Sequence, residues 1–148
     1  MADHKAIEAR LRQAFEEGVA FNRVLGLKVE SLDADAPKLR FDMRPELIGN
    51  PRKQILHGGV ISAVLDVAAG FAIHLAVVRS RMDLHEGHFP TIGTIDLRVD
   101  YLRPGRGNYF IATGRVVRLG NRVAVAHTDL VNDAGELIAT GGAAYMVG

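Results

Sequence analysis

Residues 50–78 read N-P-R-K-Q-I-L-H-G-G-V-I-S-A-V-L-D-V-A-A-G-F-A-I-H-L-A-V-V, and the rest of the chain is arranged around them. The stretch opens on polar and turn-forming residues. His57-Gly58-Gly59 follows, then an apolar run that no proline interrupts. Residues 58 to about 78 are predicted as one helix of roughly six turns, ~31 Å long at 1.5 Å per residue. Its apolar residues do not form one stripe. Val60, Ile61, Val64, Leu65, Val67, Phe71, Ile73 and Leu75 run round the axis, so the helix should be buried on most sides. Inside the run sits one carboxylate, Asp66. A buried carboxylate is costly unless it is paired or put to use. Asp66 is therefore either a structural bridge or a working group.

The run approaches the length of a membrane span. In a bilayer, however, Asp66 and His74 would both lie in hydrocarbon, at a cost of several kcal/mol each. No tryptophan or tyrosine marks an interface at either end. The remaining segments read as amphipathic strands that need a partner, and this helix supplies one.

At 148 residues the chain suits one domain, taken as residues 1–20 (an N-terminal helix) and 21–148 (the core). Apolar residues make up 48% and charged residues 24%, the balance of a globular domain. A formal net charge of +1 gives no reason to expect nucleic acid or a membrane surface as partner. Cysteine is absent, which excludes disulfides, thiolate metal sites and a cysteine nucleophile. The first residues, M-A-D-H-K-A-I-E-A-R, lack the apolar core of a signal peptide, and a cytoplasmic protein is expected.

Working outward, Ile7, Leu11, Phe15 and Val19 are four apart and predict an amphipathic helix over residues 4–20, with Asp3 as its cap. Leu25, Leu27 and Val29 alternate as a strand, and Leu39, Phe41 and Met43 as a second; residues 33–37 turn between them. Residues 45–51 read as loop. After the central helix comes a polar segment, residues 79–90, containing His85 and His88. Four strands follow. In the first, Ile95, Leu97, Val99 and Tyr101 form an apolar face, with Thr94, Asp96, Arg98 and Asp100 on the other. The next three are expected over residues 109–118, 123–131 and 137–147, joined by tight turns that imply antiparallel neighbours. The economical packing is an α+β domain in which a curled antiparallel sheet of about six strands wraps one long helix. One sheet cannot cover every side of that helix, and its edges stay open. Association into a dimer, or a dimer of dimers, would answer both.

The pattern H-G-G-x(6)-D on a buried helix, His57 through Asp66 with Asn50 upstream, resembles the hotdog-fold acyl-CoA thioesterases of the phenylacetate-degradation (PaaI-like) group. The strand T-I-D-L-R-V-D-Y-L-R-P (residues 94–104) is similar too. So is R-L-G-N-R-V-A-V-A-H-T-D-L-V-N-D-A-G-E-L-I-A-T-G (residues 118–141). The likeness covers roughly residues 20 to 147. It implies a hotdog fold and hydrolysis of a small-to-medium acyl- or aryl-CoA, with no cofactor. It also implies roles. The backbone N–H around Gly59 would polarise the thioester carbonyl, with Gly58 and Gly59 letting substrate approach. Asn50 would hold that carbonyl or the attacking water. Asp66 would be nucleophile or general base, and Thr94 would assist the water. The loop between Asn50 and His57 departs from the family in holding six residues without a glycine.

The chemistry agrees on independent grounds. A helix N-terminus offers unpaired N–H groups and partial positive charge for a developing oxyanion. An aspartate in an apolar groove is well placed to take a proton from water. Gly59 and Asp66 are seven residues apart. They share a face but are separated by ~10 Å along the axis, too far for one carbonyl to touch both. A partner helix lying antiparallel across a two-fold axis would bring Gly59 of one chain opposite Asp66 of the other. Catalysis would then require a homodimer with two shared sites.

Other roles stand beside these. His57 reads as an orienting residue rather than a proton carrier. The glycine pair would also suit close packing of helix on sheet. His74 reads as a core histidine. Phe71 and residues 79–90 are candidates to line the acyl pocket. Arg103, Arg118 and Arg122, at strand ends, are candidates for the phosphates of coenzyme A or are simply solvated. His85 and His88 lack further ligands for a tetrahedral site, so no metal is expected. Gly87-His88-Phe89-Pro90 is similar to a motif of hotdog β-hydroxyacyl dehydratases. There it precedes the central helix; here it follows, and it reads as coincidence. A hydratase or dehydratase, and a non-catalytic acyl-CoA binding module, are the alternative functions.

Overall fold

The computed structural model describes residues 4–80 and 91–148. Asp3, His85, His88 and the 87–90 motif lie outside the described residues. Six strands form one antiparallel sheet: β1 (Lys28–Ser31), β2 (Lys38–Asp42), β5 (Ile92–Tyr101), β6 (Tyr109–Leu119), β7 (Val123–Asn132) and β8 (Leu137–Val147). Their order across the sheet is β1-β2-β6-β7-β8-β5. Two short strands, β3 (Ile48–Asn50) and β4 (Ile55–Leu56), make a separate hairpin before the central helix α3 (Gly58–Ser80).

The all-round apolar character of α3 is matched by its surroundings. Val64, Leu65, Ala68, Phe71 and Leu75 join one core cluster with Phe110, Leu130 and the β1–β2 hairpin. Ala69, Ile73 and Val77 face a second, with Ala124, Ala126, Ala143 and Tyr145. The helix is long and apolar enough to cross a membrane, but 61% of its most apolar window is buried inside the protein, as a core helix requires. Small residues on the sheet let it lie close. A Cβ on Gly114 of β6 would fall 2.3 Å from the carbonyl oxygen of Ala68 and 2.9 Å from the Ala72 Cβ. Close helix–sheet packing therefore rests on Gly114, rather than on the Gly58-Gly59 pair.

Three local expectations are corrected. The N-terminal helix is not continuous over residues 4–20. α1 (His4–Gln13) passes into a π-helical turn (Ala14–Gly18), and α2 (Ala20–Leu25) follows. A π turn shifts the helical register, so Val19, four residues beyond Phe15, is left 46% exposed while Leu11 is buried. Phe15 turns inward onto Phe71, ring centroids 4.7 Å apart, which gives the N-terminal segment its partner surface. The boundary expected at residue 20 falls at the start of α2.

Leu25 is the last residue of α2 and not part of a strand. Gly26 stops the helix at φ +69°; its N–H bonds the Arg23 carbonyl and that of Leu27 bonds Asn22, the paired pattern of a left-handed C-cap.

The third correction bears on function. Strict alternation puts Thr94 with Asp96, away from Leu97. In the structure β5 carries a bulge at Ile95. Thr94 pairs with Tyr145 of β8, but Asp96 pairs with the adjacent Ala144. The extra residue, Ile95, is pushed out and is 54% exposed. Thr94 is thereby re-aimed to the face that Leu97 and Val99 share, toward α3.

Candidate active site

Asp66 lies two turns into α3 and is half-buried. Its Oδ1 accepts a hydrogen bond from Thr94 Oγ1 at 2.9 Å. The same Oδ1 accepts from the hydroxyl of Tyr145, which also reaches the Asp66 backbone carbonyl. Tyr145 is 4% exposed. Burial, and next the Asp66 carboxylate beside it, push the phenol well above its ordinary range. At neutral pH it is a proton donor to Asp66 and not a base.

Tyr145 carries no sequence motif. One signal was available: alternation along β8 places it inward with Ala143 and Val147, and a buried tyrosine hydroxyl needs a partner. Gly70, one turn after Asp66, makes room. A Cβ there would sit 3.3–3.5 Å from the ring and hydroxyl of Tyr145.

The other expected residues gather at the start of α3. The His57 carbonyl accepts from Val60 N–H at 3.0 Å, so His57 is the N-cap. Its imidazole Nδ1 accepts from Gly59 N–H at 2.8 Å. The donor assigned to the thioester carbonyl is thus held by His57. His57 is itself fixed by the residue just before β3: its N–H bonds the Leu47 carbonyl at 2.8 Å. Gly49 lets the two backbones meet, since a Cβ there would lie 2.5 Å from the His57 Cα. Tyr101, at the end of β5, donates to the Gly58 carbonyl at 3.0 Å.

Residues 45–51, expected as loop, hold a 3-10 turn (Pro45–Leu47) and β3. Asn50 ends β3, with its Oδ1 committed to the N–H groups of Arg52 and Lys53 at 3.1 and 3.2 Å. Its amide Nδ2 takes no part in that turn. The turn needs a left-handed residue, and with no glycine present Gln54 takes that conformation at φ +52°.

The expected residues therefore form two groups, not one. Thr94 and Asp66 meet at one end of β5; Gly58, Gly59, His57 and Asn50 sit toward its other end, marked by Tyr101. The three arginines are divided in the same way. Arg118 and Arg122 flank the β6–β7 turn, at the Thr94 end of the sheet, because Val123 pairs with Met146 and Met146 with Gly93. Arg103 follows Tyr101 at the opposite end and donates to the Leu137 carbonyl at 2.8 Å. Within one chain the three do not converge on one position. Phe71 is fully buried behind Phe15, about 140° round the helix from Asp66. It is a core residue and offers no surface to line a pocket beside Asp66. His74, the expected core histidine, lies edge-on to Phe15 at 5.4 Å. Among the described residues no three His, Asp or Glu side chains converge on a possible metal position.

This arrangement can be set beside known proteins. A model of the thioesterase superfamily matches residues 53–139. The chain is 46% identical over 144 residues to the medium/long-chain acyl-CoA thioesterase YigI of Salmonella typhimurium, covering 92% of this chain and 90% of that one. It is 44% identical, with the same coverage, to YigI of Escherichia coli K12. A crystal structure of a Shewanella oneidensis protein described as related to the thioesterase superfamily superimposes with a TM-score of 0.89 at 44% identity, covering 97% of each chain. The helix start, the carboxylate two turns along it and the sheet that wraps them occur together in a chain that belongs to the thioesterase superfamily and has the hotdog fold.

Proposed function

We infer that this protein is an acyl-CoA thioesterase whose active site is completed by a second copy of the chain. The carrying observation is the carboxylate of Asp66, half-buried and held on one oxygen by Thr94 and Tyr145. The likeness to YigI supports medium- and long-chain acyl groups as substrates, at or above the upper end of the range the sequence suggests. A coenzyme A substrate and a cysteine-free chain fit the cytoplasm.

The carbonyl oxygen of the thioester binds at the start of α3, where Gly59 N–H stabilises the charge that develops on it. That N–H is bonded to His57 Nδ1, so carbonyl binding goes with an imidazole turned aside. Asp66 of the other chain takes a proton from water as the water oxygen bonds to the acyl carbon. The tetrahedral intermediate collapses, the C–S bond breaks, and the proton passes from Asp66 to the departing thiolate. Carboxylic acid and coenzyme A thiol leave.

The edge strand supports the second copy. β5 is last in the sheet, and Ile95, Tyr101 and Leu102 on or beside it are 54%, 54% and 48% exposed. Such an edge invites pairing. Two β5 strands paired antiparallel about their midpoint bring the Thr94 end of one toward the Tyr101 end of the other. Thr94 marks Asp66 and Tyr101 marks Gly58, so the two half-sites are brought together twice.

The direct test is thiol release from a panel running from butyryl- to palmitoyl-CoA, with phenylacetyl-CoA as the aryl member. Turnover greatest on the medium and long chains is expected; no thiol release from any member would refute the assignment. Single turnover in ¹⁸O water then separates the two roles of Asp66. Label found in the Asp66 side chain shows a nucleophile whose anhydride water opens at the aspartyl carbonyl; a general base leaves Asp66 unlabelled.

A further inference from the structure

Two hydroxyls converge on a single oxygen of Asp66. Thr94 Oγ1 and Tyr145 OH both donate to Oδ1, and no hydrogen bond to Oδ2 is made among the described residues. The convergence is built from three separate parts of the fold. The bulge at Ile95 turns Thr94 inward, and β5–β8 register sets Thr94 directly across from Tyr145. Gly70, on the next turn of α3, leaves space for the tyrosine ring. A second contact, to the Asp66 backbone carbonyl, ties the hydroxyl to the helix itself. The phenol keeps its proton because it is buried and faces a carboxylate. An ionised carboxylate with one oxygen carrying two donors presents its other oxygen to whatever enters the groove.

We propose that Tyr145 is a positioning residue for thioester hydrolysis: with Thr94 it pins Oδ1 of Asp66 and so makes Oδ2 the oxygen that acts on water. The proposal rests on Asp66 being the working carboxylate. Its tests are chosen so that failure of the two can be told apart. Tyr145 touches neither water nor substrate in this scheme; it acts through Asp66.

Tyr145→Phe keeps the ring against Gly70 and removes only the hydroxyl. Thr94 still holds the carboxylate, but with one donor it samples other orientations. Misplacement of a reacting group by ~1 Å costs on the order of 10² in rate, and with one anchor kept, a fall in kcat of about 10-fold is expected. KM should hold within about two-fold, since no substrate contact is lost. A tyrosine that only fills the core would change thermal stability and leave kcat alone. Asp66→Asn is measured alongside. If Asp66→Asn is inactive and Tyr145→Phe turns over like wild type, Tyr145 has no positioning role. If Asp66→Asn is itself active, the assignment of Asp66 falls and takes the proposal with it. Gly70→Ala gives an independent reading should Tyr145→Phe fail to fold. It retains the hydroxyl and favours the helix, but its Cβ makes the tyrosine shift by a few tenths of an ångström. The same signature, lower kcat at constant KM, is expected, and an unchanged kcat in Gly70→Ala overturns the proposal.

Discussion

Gly114→Ala should be among the most damaging single-methyl changes in the chain, and its size can be worked from the structure. The added Cβ would fall 2.3 Å from the Ala68 carbonyl oxygen, 3.0 Å from the Ala68 carbonyl carbon and 2.9 Å from the Ala72 Cβ. Ordinary contact begins near 3.5 Å, so strand and helix must separate by about 1 Å. The obstacle is backbone in the middle of α3 and cannot rotate away. Overpacking of this kind costs ~3 kcal/mol, the upper part of its usual range. Loss of glycine from the unfolded chain returns about 0.4–1 kcal/mol. The net is about 2 kcal/mol or more, and for a chain of 148 residues that lowers Tm by roughly 4–8 °C. Gly142→Ala is the control: it lies on the outer face of β8, where the added Cβ meets only His127 Cδ2 at 3.7 Å. Calorimetry of wild type and both variants at one protein concentration is the assay. The displacement also carries Asp66, two residues before Ala68, away from Thr94, so kcat should drop even where the variant is fully folded. Equal Tm values for Gly114→Ala and Gly142→Ala would show that helix and sheet are not in the tight contact described.

Asp66→Asn should lower kcat at least ~10²-fold while thermal stability holds or rises, because a partly desolvated charge is removed; near-wild-type hydrolysis would sink the mechanism. The Tyr145 phenol is held above its ordinary value in the folded chain, so its contribution is complete below about pH 10 and is lost as pH rises further. Wild type should therefore lose Tm more steeply than Tyr145→Phe above pH 10, and parallel curves would refute this. Activity should survive a chelator; loss restored by zinc would overturn the metal-free reading. Asn50→Ala and Asp66→Ala chains, each inactive alone, should recover roughly a quarter of wild-type activity when unfolded and refolded together. Half the dimers are then mixed and each has one intact site; zero recovery with mixed dimers present would remove the shared site.

What could be read from the sequence followed from periodicity. The all-round apolar helix, the six alternating strands and the turns between them survive as α3 and the sheet. The misreadings fall where a single residue changes the period. A five-residue π turn rotates everything after Gln13, and the contact it accompanies, Phe15 on Phe71, joins residues far apart in sequence. Gly26 cuts Leu25 from a strand it matches in pattern. Gln54 takes a left-handed conformation with no glycine to announce it.

The site divides along the same line. Asp66, Gly59 and His57 sit on or beside one helix, so spacing alone places them, down to the two turns that separate Gly59 from Asp66. Thr94 is legible only through resemblance, because the bulge that aims it inward leaves no mark in the alternation; the pattern in fact points it the other way. Tyr145 is 79 residues from its partner and joined to it only by strand order. A motif records what lies along the chain, whereas the groups that steer a carboxylate come from the sheet across it. Here those groups ride on the two last strands, β8 and β5, of which β5 is the edge proposed to meet a second chain. The hydroxyls that orient Asp66 thus stand on the strands that would bring it a partner's Gly59. Dimer formation and carboxylate placement share one scaffold, and a substitution that disturbs the β5 bulge should weaken both together.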